Sequence, residues 1–585
     1  MTRAPVMSQR GKDMIRHRMK TVWILFVAGL PGSLDACGGG SSPARSDFQI
    51  SAAALSPATV MAGGSATSAV SITAMGGSGS TVTLACSGLP NGANCSFSPG
   101  SLAGSGSSQL TVNTSGATTP GSYKFSVQGT SGSTNSSAPL TLGVQSKIQH
   151  IVVIFQENRT PDNLFQDPVL IQRGADIQNY GVNSEGATVP LTPIPLGIDW
   201  DNDHSHPSFT KMYDGGKMDG AGNIPLTCGN WNDCHPSPNR PFNYVQASDV
   251  QPYYALAETY TFGDRMFQTN EGPSFPAHQF IISGTSAPSP PGQTNSNFFV
   301  AENAAGTTPG ITGCLAAAGQ YILLIDPANP DPNTNETQQS FPCYDHPTIT
   351  DLLDTQKITW RYYTPLAGNL WAAPNAVQHI CGPTPQPPNA TACTGAIWQQ
   401  SVVVNNKQVL TDIQNNQLAS MTWVIPSGPE SDHAGTIDAN EGPGWVSSVV
   451  NAIGASGYWS NTAIIITWDD WGGWYDHVAP PIINSYEYGF RVPLIVVSPY
   501  AKPAYISHQV NDFGSILKFT EQTFGLPEVA PEASPAYADA LNTTGDLSDC
   551  FDFTQTPLTF HAIQAKQDAS YFLNDTRPPA PPDDD

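Results

Sequence analysis

The stretch Ile151-Val152-Val153-Ile154-Phe155-Gln156-Glu157-Asn158-Arg159-Thr160-Pro161-Asp162-Asn163-Leu164-Phe165 decides the fold of the larger part of this chain. The apolar run Ile151–Ile154, with Phe155 behind it, reads as a short buried strand. A parallel strand covered on both faces shows such a continuous run in place of alternation. At its carboxyl end the chain turns polar at Gln156. In open α/β sheets the crevice outside the strand ends is where ligands bind. There a carboxylate (Glu157) and an amide oxygen (Asn158) arrive side by side, a donor pair that suits a hard divalent cation.

A second stretch answers the first. Ala463–Thr467 is another apolar, β-branched run, and it leads into Trp468-Asp469-Asp470-Trp471-Gly472-Gly473-Trp474-Tyr475-Asp476-His477. Adjacent aspartates repel unless positive charge lies beside them, and a metal is the simplest source of it. An isolated Asp-Asp pair reads more simply as two solvated loop residues. Two strand ends of the same kind favour a shared ion.

The chain of 585 residues exceeds one compact core, so at least two domains are expected. Its formal charge of −24 argues against a nucleic-acid partner, since phosphate binding needs a basic surface. Arg16, Arg18 and Lys20 precede the apolar segment Thr21–Leu30, which is too short to span a bilayer and fits the core of a secretory signal. The following Leu34-Asp35-Ala36-Cys37-Gly38 resembles a bacterial lipoprotein processing site with Cys37 as the lipidated residue, although Asp35 departs from the usual small or apolar residue. The expectation is an exported protein, secreted or held at the cell envelope through Cys37, with a signal over 1–37 and a Gly/Ser linker over 38–47. Cysteine usage agrees with an oxidising compartment. Near-neighbour pairing gives 86–95, 228–234, 314–343 and 381–393 and strands Cys550, a connectivity that sequence cannot establish. A metal site at Cys228, Cys234 and His235 is weaker than a loop disulfide there.

From 48 to 145 short alternating runs (Thr81–Ala85, Gln109–Asn113, Tyr123–Gln128, Leu140–Val144) are separated by Gly/Ser/Asn turns. They read as a small antiparallel sandwich of immunoglobulin type. The segments Gly88–Ser98 and Pro120–Gly132 resemble modules appended to bacterial surface proteins, which implies a spacer or adhesive role. Residues 147–572 read as one large α/β domain and 573–585 as a disordered tail.

Four further places join the two strand ends: Asp201–His206, Asn270–His278, Ser427–His433 and Gly489–Tyr500. The ordered set Glu157-Asn158-Arg159-Thr160-Pro161-Asp162, Gly272-Pro273-Ser274, Asp432-His433, Asp469-Asp470-x-Gly472-Gly473-x-Tyr475-Asp476-His477-Val478 and Gly489–Tyr500 resembles the phosphoesterase family of bacterial and plant phospholipases C and related acid phosphatases, within the alkaline-phosphatase-like superfamily. Thr160 and Pro161 stand where that family commonly has Ser and Phe. The resemblance implies an alkaline-phosphatase-like sheet flanked by helices and hydrolysis of a phosphoric ester, possessing one divalent metal held by Glu157, Asn158, Ser274, Asp469 and Asp470. It makes Ser274 the nucleophile and His204 and His433 the phosphate-site histidines.

The chemistry is coherent with that assignment. A cation lowers the pKa of a serine hydroxyl, and attack on phosphorus needs charge neutralised on the equatorial oxygens. A histidine can protonate the leaving oxygen near neutral pH, and His433, with Asp432 beside it, is the candidate. Oxygen-rich ligation favours Ca²⁺, Mg²⁺ or Mn²⁺ over zinc. The substrate is a phosphate ester, with phospholipid within the class. His206 and His278 read as structural or solvent-facing, Arg159 as structural, and Trp468, Trp471 and Trp474 as cleft walls before a cage for a quaternary ammonium group. Two other readings compete: a sulfatase, against which His278 counts where a maturation signal has Arg, and a non-catalytic surface adhesin.

Overall fold

Continuous apolar runs and alternating ones have separated into two bodies. The structure is a computed structural model and describes residues 47–75, 79–116, 118–228, 234–304, 311–382, 392–484 and 486–580. The signal, lipidation and most of the linker expectations (1–46) therefore lie outside the described residues, and no described helix is long and apolar enough to cross a membrane.

The first body is a β-sandwich. One sheet runs Phe48–Ala52, Ser65–Ala74, Gly106–Thr114, Ala93–Ser98; the other runs Thr59–Met61, Thr134–Gln145, Gly121–Ser131, Thr81–Ser87, Ser101–Ala103. The period-two pattern of Ser65–Ala74 puts Ala66, Ser68, Val70 and Ile72 inward, as side chains on one strand face must lie. They join Phe48, Leu110, Val127 and Leu142 in a core of the sandwich's own. Disulfide Cys86–Cys95 links one sheet to the other.

The second body is built on an eight-stranded sheet in the order Val402–Val404, Trp360–Thr364, Met421–Val424, His150–Gln156, Thr462–Trp468, Arg491–Val497, Thr261–Phe267, Tyr505–Ser507. All neighbours pair in parallel except those of Arg491–Val497, which runs against both of its neighbours. The fold class is thus α/β, with a mixed sheet. Ile151–Phe155 is wholly buried at its centre. Phe155 turns toward helices Ser274–Ser283 and Phe513–Phe524, touching His278 and Phe513, while the Gln156 amide reaches Tyr253 on helix Ala247–Thr259. The strand is covered on both sides, which is why it carries no polar alternation.

The sandwich meets the end of this sheet where the parallel strands begin. Lys147 Nζ donates to Phe553 O at 2.7 Å and stands 5.1 Å from the Tyr500 ring centre, and Gly116 lies against Phe553. The expected tail is corrected in part. Helix Ala569–Asn574 enters it, Asp575 pairs with Lys407 at 2.7 Å, and Arg577 pairs with Glu441 at 2.9 Å. Charge pairing holds these residues where Pro/Asp composition suggested none; 581–585 lie outside the described residues.

The four disulfides pair near neighbours, Cys86–Cys95, Cys228–Cys234, Cys314–Cys343 and Cys381–Cys393, and Cys550 is buried and free. The Cys228–Cys234 bond removes the cysteine-metal alternative, and His235 pairs with Asp199 instead.

Candidate active site

Register brings the two decisive strand ends together. Gln156 lies opposite Trp468, so Glu157 and Asp469 leave the sheet side by side, and Asp469 N donates to Gln156 O at 2.9 Å. Glu157 N donates to Ser431 O at 2.9 Å, which ties the Asp432–His433 loop to the same edge. Asn158 takes a left-handed backbone, φ 62°, uncommon for a residue with a side chain, and its amide donates to Asp469 Oδ1 at 2.8 Å. Gly472 (φ 59°) lies so close that a Cβ would fall 2.4 Å from Asn158 O, and a Cβ on Gly473 (φ 70°) would fall 2.3 Å from Asn202 Cβ. The glycine pair therefore lets the Asp469–Asp470 turn close on the Glu157–Asn158 turn.

Ser274 opens helix Ser274–Ser283. Its hydroxyl donates to Asp470 Oδ2 at 3.2 Å. His204 and His433 complete the group, with Asn158 Nδ2 standing 3.0 Å from Nε2 of each and the two rings 5.9 Å apart. Every residue expected at the site is brought into one cluster, and none is more than 4 % exposed.

The histidine tautomers follow from the hydrogen bonds. His204 Nδ1 lies 2.9 Å from Asn202 O and His433 Nδ1 2.6 Å from Ala434 O, so each neutral ring carries its proton on Nδ1. Nε2 of both then accepts from Asn158 Nδ2, and Asn158 Oδ1 has no donor. Two observations bear on the role expected of His433. Asp432 does not orient His433: its carboxylate turns into the core and accepts from Tyr253 Oη at 2.7 Å and Trp468 Nε1 at 3.2 Å, and burial pushes it up to about 6. Also, a neutral His433 has no proton at Nε2 and must gain one before it can protonate a leaving group.

The donor set fits a hard cation. Glu157 Oε2, Asn158 Oδ1 and Asp469 Oδ2 are buried without a hydrogen-bond partner. Burial, together with repulsion from Asp469 and Asp470, holds the Glu157 carboxyl well above its ordinary range. Burial and Asp469 do the same to Asp470. Asp469 goes the other way, because hydrogen bonding with Glu157, Ser274 and the Asn158 amide and the field of His278 together outweigh burial. Among the described residues no lysine or arginine pairs with these three carboxylates. Buried negative charge of this kind calls for a cation or bound protons.

The residues left outside the expected site also take defined places. His278 is neither solvent-facing nor remote: it is fully buried, and its Nε2 lies 3.1 Å from Glu157 Oε1, within a compact Glu157–His278–Asp469 group. Burial pushes it down to about 4. Its position four residues after Ser274 on one helix was the available signal. His206 is buried too, bridging Glu271 and Glu336, which raise it to about 10 against the lowering effect of burial. Arg159 is structural as read: it donates to Asp432 O, Asn163 Oδ1 and Leu196 O and stacks 5.2 Å from Trp474. The three tryptophans are wholly buried in separate places, Trp468 on Tyr253, Trp471 on Phe490 and Trp474 on Trp200, so they do not form an open cage. His477 binds Asp162 at 2.7 Å and Asp176 at 3.0 Å beside a buried Arg491–Asp476 pair, a network already holding its own positive charge. The long stretches between Ser286 and Pro347 and between Pro365 and Thr394 also reach the site. Asn303 accepts from Phe275 N at 2.8 Å, and the Trp371 ring stands 6.0 Å from His433.

Comparison with known proteins adds the family. The model of the Phosphoesterase family matches residues 148–527, more than half of the chain. The chain is similar to a non-hemolytic phospholipase C of Pseudomonas aeruginosa, 23% identical over 452 residues, covering 69% of this chain and 57% of that protein. It is similar to phospholipase C B of Mycobacterium tuberculosis, 24% identical over 475 residues, covering 71% of this chain and 80% of that one. The match thus spans little more than half of the Pseudomonas protein. A protein of the alkaline phosphatase superfamily from Vibrio parahaemolyticus aligns over 66% of this chain and 68% of its own at 10% identity, with a TM-score of 0.28, too low to carry an argument. On the family match and the motifs that line this cluster, the chain belongs to the Phosphoesterase family.

Proposed function

We propose that this protein is an exported, metal-dependent hydrolase of phosphoric esters, of phospholipase C or acid phosphatase type, with Ser274 as nucleophile. The observation that carries the reading is the Ser274 hydroxyl 3.2 Å from Asp470 at the start of a helix, beside the unpartnered oxygens of Glu157, Asn158 and Asp469. Glu157, Asn158, Ser274, Asp469 and Asp470 would hold one divalent ion, with Ca²⁺, Mg²⁺ or Mn²⁺ favoured by the oxygen donors. When bound, that ion supplies positive charge that lowers the hydroxyl pKa and offsets charge on phosphorus.

The rest falls to the chain. Asp470 is placed to take the proton from Ser274 as Oγ bonds to phosphorus and the ester oxygen departs. His204, once protonated at Nε2, would donate to a phosphoryl oxygen and oppose developing negative charge, while Asn158 Nδ2 holds the two rings together. His433, once protonated at Nε2, gives that proton to the leaving oxygen. Water then cleaves the phosphoserine and releases phosphate or a phosphomonoester. Relatives named as phospholipases C favour a phospholipid diester as substrate. Four disulfides support an oxidising compartment, hence export.

The test is to assay the full chain on p-nitrophenyl phosphate, p-nitrophenyl phosphorylcholine and phosphatidylcholine vesicles, with and without EDTA. Chelator-sensitive cleavage of at least one, lost in Ser274→Ala, is expected. Cleavage that Ser274→Ala leaves intact would sink the mechanism.

A further inference from the structure

Glu157 has two carboxylate oxygens in unlike settings. His278 Nε2 meets Oε1 at 3.1 Å, whereas Oε2 has no hydrogen-bond partner. The other ring nitrogen, Nδ1, is buried and likewise without a partner. A neutral imidazole bears one proton, and the nitrogen facing an acceptor keeps it, so the proton sits on Nε2 and is donated to Glu157. The ring cannot easily turn away. Phe155 packs edge-on against it at 4.8 Å, and Trp371 lies nearly parallel at 6.4 Å.

We propose that His278 is a positioning residue that holds Glu157 Oε1 and thereby aims Oε2 at the cation. The proposal rests on the metal reading given above and deepens it. Ser274 and His278 stand one helical turn apart on Ser274–Ser283, so i and i+4 present both to one side. One rigid helix thus fixes the nucleophile and, through His278, the direction of a carboxylate arriving from a strand. A histidine with only a structural role would serve equally well on a main-chain carbonyl. This one spends its proton on a member of the metal cluster, as partners behind metal ligands do.

The experiment uses the full chain and Mn²⁺ as probe. Calorimetric titration should give His278→Gln, whose amide can replace the Nε2 donor, near wild-type affinity. For His278→Phe, which fills the space without a donor, binding should weaken about 10–100-fold at unchanged near-ultraviolet circular dichroism. Pulsed electron paramagnetic resonance of the Mn²⁺-loaded wild type should show no directly bonded nitrogen. Equal affinity of His278→Phe overturns the positioning role while leaving the metal reading in place. A directly bonded nitrogen also overturns it, by making His278 a ligand. Should the phenylalanine variant not fold, weakening of His278→Gln by about tenfold or more overturns the proposal, and near-equal binding supports it. A wild type that binds no Mn²⁺ refutes the metal reading itself, and this inference with it.

Discussion

The sandwich and the α/β body solve opposite electrostatic problems. The 98 residues from 48 to 145 carry a single charged side chain, Lys124. Their stability comes from an alternating apolar core and one disulfide. The α/β body buries Glu157, Arg159, Asp162, His206, Asp432, Asp469, Asp470, Asp476 and Arg491. Unpaired buried charge is costly, so most of these groups are tied to groups of opposite charge, whereas Glu157, Asp469 and Asp470 have no lysine or arginine partner among the described residues. The difference teaches where a charged ligand could be accommodated: the α/β body gathers buried acidic groups at its centre, and the sandwich has none.

That contrast can be broken by mutation. Ser274→Ala should lower kcat/KM by about 10⁴-fold or more, as loss of a nucleophile does. Cys86→Ser/Cys95→Ser, within the sandwich, should leave kcat/KM unchanged while loosening that body; steady-state kinetics on both variants decides. Equal damage from both would erase the division of labour.

Next in size is the buried charge at His206. Removing it in His206→Ala leaves Glu271 and Glu336 without their shared counter-charge, at a cost of about 3–5 kcal/mol, read from hydrogen exchange in strand His150–Gln156. The pH dependence has a definite sign. His206 is raised to about 10 in the fold, against roughly 6.5 when unfolded. Its contribution is complete below the unfolded value and lost as pH rises through about 10. Exchange in Ser65–Ala74 should show no matching change between about pH 5 and 9, because the sandwich has no group that titrates there.

Metal removal sharpens the same point. An ion at about 100 times its Kd adds about 2.7 kcal/mol to the body that binds it. EDTA should therefore speed exchange in His150–Gln156 and Thr462–Trp468 and leave Ser65–Ala74 alone. The smallest effect is expected at the junction. Lys147→Ala removes one hydrogen bond and one cation–π contact, worth about 1 kcal/mol together, with kcat unchanged; a shift in kcat would couple the two bodies.

Sequence and structure divide unevenly between these regions. Period-two alternation and turn residues mark the sandwich strands, because a half-buried strand writes its two faces into consecutive residues. The apolar runs Ile151–Phe155 and Ala463–Thr467, each followed by acidic residues, likewise mark both strand ends and, with Ser274, His204 and His433, the candidate site. What the one-dimensional pattern could not carry is orientation. Asp432 sits next to His433 in the chain, yet its left-handed backbone (φ 72°) accompanies a carboxylate turned into the core toward Tyr253 and Trp468. His278 looked incidental until helix Ser274–Ser283 set it against Glu157. Asn303, Glu336 and Trp371 gained meaning only where they touch Phe275, His206 and His433. Local chemistry therefore determined which strands form and which residue types gather at their ends. Which side chain faces which was decided by register and by loops closing over long separations, since a contact between residues hundreds of positions apart leaves no local trace in either segment.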